Sequence, residues 1–135
     1  MTISCSYLSS NDKERVINEL NKTSVDYIHL DIMDGKFTEN ETLDFNTLRN
    51  YFYENTKKLD VHLMVKDVKL YTELYSLLNP EYITFHLEIG NTKELINYVK
   101  NKTSYGADTI ISVFSSIAIA LGLAMLAQSG NFNKY

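Results

Sequence analysis

The sequence predicts a parallel α/β fold, a single domain in which strands and helices alternate, and three observations carry that reading. First, Tyr27–Met33, 59–65 and 82–88 alternate apolar and polar residues with a period of two, which sends successive side chains to opposite faces of a strand. Second, the segments between these runs place apolar residues at helical spacing. Third, strands joined through helices pair in parallel, because a parallel pair needs a long crossover.

The three alternating runs share an unusual polar face. In the first, Ile28, Leu30 and Ile32 lie opposite His29, Asp31 and Met33. In the second, Val61, Leu63 and Val65 lie opposite Asp60, His62 and Met64, and in the third Ile83, Phe85 and Leu87 lie opposite Thr84, His86 and Glu88. All 3 histidines of the chain therefore fall on these polar faces. His29 and Asp31, two residues apart on one face, are separated by about 7 Å along the strand, which suits two ligands of one ion.

With 135 residues the chain is long enough for one hydrophobic core. It carries 13 Lys+Arg against 17 Asp+Glu, and with no basic patch it is not expected to bind nucleic acid. Cys5 is the only cysteine, which excludes an internal disulfide and a cysteine-based zinc site. The start, Met1 to Tyr7, lacks the charged and apolar regions of a signal peptide, so a cytoplasmic protein is expected.

A short first strand is predicted over 2–8, with Ile3, Cys5 and Tyr7 opposite Ser4 and Ser6. Ser9, Ser10 and Asn11 suit the N-cap of a helix over 12–21, with Asp12 and Glu14 in its first turn and Val16, Ile17 and Leu20 inward. After Tyr27–Met33, Asp34-Gly35 signals a turn and a polar loop follows. A helix over 45–55 turns Leu48, Tyr51 and Phe52 inward. Lys57 and Lys58 read as a solvated turn before the next strand. Asp67 can cap a helix over 68–78, whose apolar positions are Leu70, Tyr71, Leu74, Leu77 and Leu78 and whose stop is Asn79-Pro80. A fourth helix runs from the capping-box spacing of Asn91 and Glu94 to Lys102, with Ile96 and Val99 inward. The exposed aromatics Tyr51, Tyr53, Tyr71 and Tyr75 read as helix-face packing and not as a binding platform.

Buried parallel strands usually read as near-continuous apolar runs. Strands that keep one apolar face and line the other with His, Asp, Glu and Met fit a barrel, with helices outside and the site at the carboxyl ends. The predicted class is therefore a partial (β/α)8 TIM-type barrel, the first four βα units plus an apolar C-terminal strand and helix. A doubly wound sheet is the second reading. Neither GxGxxG nor GxxxxGK[ST] is present.

The runs Ile3-Ser-Cys-Ser-Tyr-Leu-Ser9, Ile28-His-Leu-Asp-Ile-Met-Asp-Gly-Lys-Phe37, Asp60-Val-His-Leu-Met-Val65 and Ile83-Thr-Phe-His-Leu-Glu88 together resemble the ribulose-phosphate 3-epimerases, over about residues 1–100. The resemblance implies a pentulose 5-phosphate substrate, D-ribulose 5-phosphate interconverted with D-xylulose 5-phosphate in pentose-phosphate metabolism through an enediolate formed at C3. It implies one divalent ion (Zn2+, Fe2+, Mn2+ or Co2+), with His29, Asp31 and His62 matching three of its ligands. Asp31 also matches one of the two acid–base aspartates. Ser6, His62, Met33 and Met64 match residues around the substrate.

Departures accompany the match. Cys5 stands where the family has proline, Lys36 where it has histidine, and Glu39 where it has a proline before Asn40. The family's second aspartate and its phosphate loops lie in late strands, whereas Asp108 is the only acid in 103–135 and precedes a strand-like run instead of ending it. The whole chain, 1–135, is expected to be one barrel-type domain, with family-like βα units over 1–102 and a divergent apolar tail over 103–135 that has lost middle strands. Epimerase activity is then expected to fall far below that of a complete enzyme. The 19 uncharged residues of 109–127 have the length of a membrane span. Four polar hydroxyl residues dilute their first half, so a strand and helix are favoured over insertion. Two other readings stand beside the enzyme: a non-catalytic half-barrel that forms homo-oligomers to cover its open sheet, and a membrane-tethered βα domain.

Overall fold

The computed structural model describes residues 1–102 and, by backbone alone, the strand Ile111–Phe114. Its elements are β1 (Ser4–Ser6), α1 (Lys13–Asn21), β2 (Tyr27–Met33), α2 (Phe45–Tyr51), β3 (Lys58–Met64), α3 (Val68–Ser76), β4 (Tyr82–His86), a single 3-10 turn (Leu87–Ile89), α4 (Thr92–Lys102) and β5 (Ile111–Phe114).

All strand pairs are parallel, and their spatial order is their chain order, β1-β2-β3-β4-β5. A doubly wound sheet reverses direction at a switch point, and among the described residues none occurs, so that reading is overturned. Successive βα units added in one direction are what a barrel wall requires.

One face of the sheet forms the core. Ile28, Leu30 and Ile32 of β2, Val61 and Leu63 of β3, and Ile83 and Phe85 of β4 are fully buried, packed against Ile17, Leu48, Val68, Tyr75 and Val99 of the helices. The opposite faces of β2 and β3 hold His29, Asp31, Met33, Asp60, His62 and Met64, all only half-buried. The alternation read in the sequence is thus the division between the core and the half-buried polar face.

Aspartates start the first three helices. Asp12, Asp44 and Asp67 each accept a hydrogen bond from the backbone N–H three residues on, satisfying a donor that the first turn leaves unpaired. Asp12, not Ser9, Ser10 or Asn11, is the cap of α1; Ser10 Oγ accepts from the Asp12 N–H and so holds the cap in place. Asp67 caps α3 as its position predicts.

Three expectations need correction. Leu70 and Leu77 are 49% and 67% exposed, because α3 buries the stripe Val68, Thr72 and Tyr75 and ends at Ser76, which leaves Leu77 beyond its last turn. Tyr75 is buried, stacked edge-on against Phe45 at 5.1 Å, and burial raises its hydroxyl above the ordinary tyrosine range. Residues 87–89 leave the sheet in a 3-10 turn, so Leu87 is exposed and not part of the apolar face. Smaller shifts fall at element ends: Lys58 opens β3 and pairs with Glu81, where a solvated turn is expected.

Among the described residues, no helix is long and apolar enough to cross a membrane. Of the uncharged stretch 109–127, Ile111–Phe114 forms β5 beside β4, with Thr84 opposite Ser112. The rest of that stretch, and the helix expected in it, lies outside the described residues.

Candidate metal centre

Strand register assembles the site. β2 and β3 pair so that His29 faces Asp60, Asp31 faces His62, and Met33 faces Met64. On the other side of β2, Ser6 faces His29, and beyond β3, His62 faces Thr84. Residues two apart in one strand and opposite each other in two strands therefore converge on a single patch of the sheet's polar face.

Hydrogen bonds run across that patch from β1 to β4. Ser4 Oγ donates to Asp60 Oδ2 (3.3 Å), and the same carboxylate oxygen meets His29 Nδ1 at 2.8 Å. His29 Nε2 reaches Asp31 Oδ1 at 3.1 Å, and His62 Nδ1 reaches that oxygen from the other side at 2.9 Å. His62 Nε2 in turn lies 2.8 Å from His86 Nε2, whose Nδ1 is 3.8 Å from Glu88 Oε2. The rings of His62 and His86 stack, with centroids 5.0 Å apart.

The electrostatics follow from these contacts. Hydrogen bonds to Asp31 and then Asp60 raise the His29 imidazole from 6.5 to about 9, against the opposing effect of burial. Burial alone would raise Asp31, but the bonds from His29 and His62 outweigh it and hold the carboxyl well below the usual range. Burial, helped by the neighbouring His62, lowers His86.

His29, Asp31 and His62 each offer one donor atom, all within 4.8 Å of one another. Two imidazole nitrogens and a carboxylate oxygen form a borderline donor set that suits Zn2+, Fe2+, Mn2+ or Co2+, and three protein ligands leave coordination positions open. The convergence of both rings on one carboxylate oxygen also fits a cation, which would take the place of the two bridging protons. The residues present therefore fit the ion that the sequence reading expects.

The loop after β2 is tied over the carboxyl ends of the strands. Asp34 Oδ1 accepts from the backbone N–H groups of Lys36 and Phe37, and Asp34 Oδ2 accepts from that of Lys66 after β3. Gly35 makes the turn with a φ of 69°, where a side chain would be strained. Phe37 is thereby set against His86, with ring centroids 5.1 Å apart.

The structure thus brings His29, Asp31 and His62 together and places Met33 beside Met64 at the strand ends. Ser6 sits at the end of β1 next to His29, where its Oγ accepts from the Leu8 N–H at 3.2 Å. Sequence reasoning gave no site role to Asp60 or His86. Both carry the period-two signal of the polar face, but their contacts depend on register and ring orientation.

Comparison with known proteins agrees with this fold. The model of the ribulose-phosphate 3 epimerase family matches residues 2–128. The ribulose-phosphate 3-epimerase of Helicobacter pylori (strain J99) is 36% identical over 89 residues, which are 65% of this chain and 41% of that protein. That of Methanocaldococcus jannaschii is 31% identical over 98 residues, 72% of this chain and 40% of the relative. The cytoplasmic isoform of Oryza sativa subsp. japonica is 34% identical over 83 residues, 60% and 36% of the two chains. The chain spans about two-fifths of the length of these curated relatives.

Proposed function

The chain belongs to the ribulose-phosphate 3-epimerase family, and from that premise we propose that it binds one divalent cation through His29, Asp31 and His62 and removes the C3 proton of a pentulose 5-phosphate. The observation that carries the proposal is the meeting of His29 Nε2 and His62 Nδ1 at Asp31 Oδ1, at 3.1 and 2.9 Å. When bound, the ion supplies Lewis-acid stabilisation of the negative charge that develops on the substrate oxygens as the proton leaves.

The remaining work falls to side chains. Asp31 is the base: ionised across the neutral range, it is half-buried, with 17% of its side-chain surface exposed. A carboxylate held so low is a weak base, and it can act on a carbon acid only where the resulting charge is stabilised. Without the ion, His29 and His62 hold Asp31 in position from both sides. Met33 and Met64, paired across β2 and β3, give the reacting carbons an apolar, adaptable wall. Ser6 Oγ can donate to the substrate while it accepts from Leu8.

Epimerisation needs a proton returned to the opposite face of C3. Of the two acid–base aspartates that the family resemblance implies, Asp31 alone is matched in these 135 residues. Proton exchange is therefore proposed to outpace epimerisation. The test is D-ribulose 5-phosphate in D2O with Zn2+ and the protein, followed by NMR. Deuterium entering C3 with the native chain and failing to enter with Asp31→Asn supports the proposal. No exchange by folded native protein, or equal exchange by the variant, contradicts it.

A second copy of the chain is the partner proposed for the sheet. Among the described residues β1 is an edge strand of three residues, and an open parallel edge invites pairing. Sedimentation of the purified chain as a monomer at all concentrations would remove this reading.

A further inference from the structure

Each imidazole that faces Asp31 has a second nitrogen, and each second nitrogen is held. His29 turns Nε2 toward Asp31 and Nδ1 toward Asp60 Oδ2, at 2.8 Å. His62 turns Nδ1 toward Asp31 and Nε2 toward His86 Nε2, also at 2.8 Å. The two rings are thus mounted in opposite senses, one through each type of nitrogen. We infer that Asp60 and His86 are positioning residues for the cation site, each fixing the ring of one histidine so that its inner nitrogen presents a lone pair to the ion. This inference rests on the metal-site reading proposed above.

The chemistry requires such partners. A neutral imidazole carries one proton, and a ring that binds a cation through one nitrogen must keep the proton on the other. At His29 that proton belongs on Nδ1, where the Asp60 carboxylate accepts it and makes the ring a better donor. At His62 it belongs on Nε2, and the acceptor is the unprotonated Nε2 of His86. The proton of His86 then sits on Nδ1, on the side of the Glu88 carboxylate 3.8 Å away.

The supporting groups are themselves fixed. Asp60 is the register partner of His29 on β3 and accepts from Ser4 Oγ, so three strands hold its carboxylate. His86 ends β4 between the stacked ring of His62 and the ring of Phe37, which the Asp34 turn delivers. A rigid outer ring of this kind reduces the ordering cost of assembling ligands around an ion.

Titration of the metal-free chain with Co2+, read by absorption and calorimetry, tests the inference. Asp60→Leu and His86→Phe keep bulk and remove the acceptor; each is expected to weaken Co2+ binding by about 10- to 100-fold. Asp60→Asn and His86→Gln keep an acceptor and are expected to restore most of the loss. A merely structural role would not follow that split, and circular dichroism and melting of the metal-free variants report the fold independently. Should Asp60→Leu fail to fold, Asp60→Ser, too short to reach Nδ1, gives the same comparison. Native affinity in the folded Leu and Phe variants would overturn the inference and leave the metal-site reading intact. Absence of Co2+ binding by the native chain would overturn both.

Discussion

Asp31 and His62 are register partners on adjacent parallel strands, and the imidazole Nδ1 lies 2.9 Å from the carboxylate Oδ1. Because the pairing of β2 with β3 sets this contact, a one-residue slip would turn the polar residues of the slipped strand into the core and its core residues outward. Fold and site therefore depend on the same register, and the buried face of Ile28, Leu30, Ile32, Val61 and Leu63 specifies it.

Replacing a ligand should cost more than replacing its support. His29→Gln and His62→Gln are each expected to weaken divalent-cation binding by more than about 100-fold, beyond the range typical of outer partners. Each ring also bonds the half-buried Asp31 carboxylate, so melting temperatures of the metal-free variants should fall modestly. Calorimetric titration with Zn2+, paired with thermal melts, checks both halves.

The two faces of β2 should respond differently to truncation. Leu30 is fully buried, and Leu30→Ala is expected to destabilise the chain by about 2–5 kcal/mol. Met33, half-buried at the strand end, should lose clearly less on the same change while slowing C3 exchange. Urea unfolding of both variants measures the contrast.

Thr72 is a polar side chain inside the α3 stripe, and its hydroxyl has no hydrogen-bond partner among the described residues. Thr72→Val, close in shape, should raise stability by about 1 kcal/mol by removing an unsatisfied buried group. A lower urea midpoint than that of the native chain would contradict this.

Asp34 clamps the loop that carries Phe37, and its three backbone hydrogen bonds hold its carboxyl below the ordinary value of 3.8, although burial opposes them. A lowered folded-state value contributes stability that is fully present above the unfolded value and is lost as the pH falls through the folded one. Asp34→Ala is expected to destabilise the chain by about 2 kcal/mol at neutral pH. The difference between native and variant should shrink as the pH falls below 3.8, which urea unfolding across an acid pH series would measure.

Much of this was legible in the sequence because its signals are local. Alternation marks Tyr27–Met33 as β2 to the residue, and it assigns Ile28, Leu30 and Ile32 to the core and His29, Asp31 and Met33 to the half-buried polar face. Asp67 as a cap and Asp34-Gly35 as a turn are equally local. What was not legible depends on position in space. Leu70 and Leu77 have the spacing of an inward stripe, yet α3 rotates to bury Thr72 and Tyr75, since packing against β3 and α4 outweighs the apolar count. The roles of Asp60 and His86 require knowing which residue lies opposite His29 and how the ring of His62 is turned.

His29, Asp31 and His62 are proposed to hold one divalent cation. Crystals of the chain grown with Co2+ and measured on either side of the cobalt absorption edge test it most directly. A single anomalous peak is expected within bonding distance of His29 Nε2, His62 Nδ1 and a carboxylate oxygen of Asp31. A fully occupied peak elsewhere, or none in crystals of the folded chain soaked well above millimolar Co2+, would contradict it.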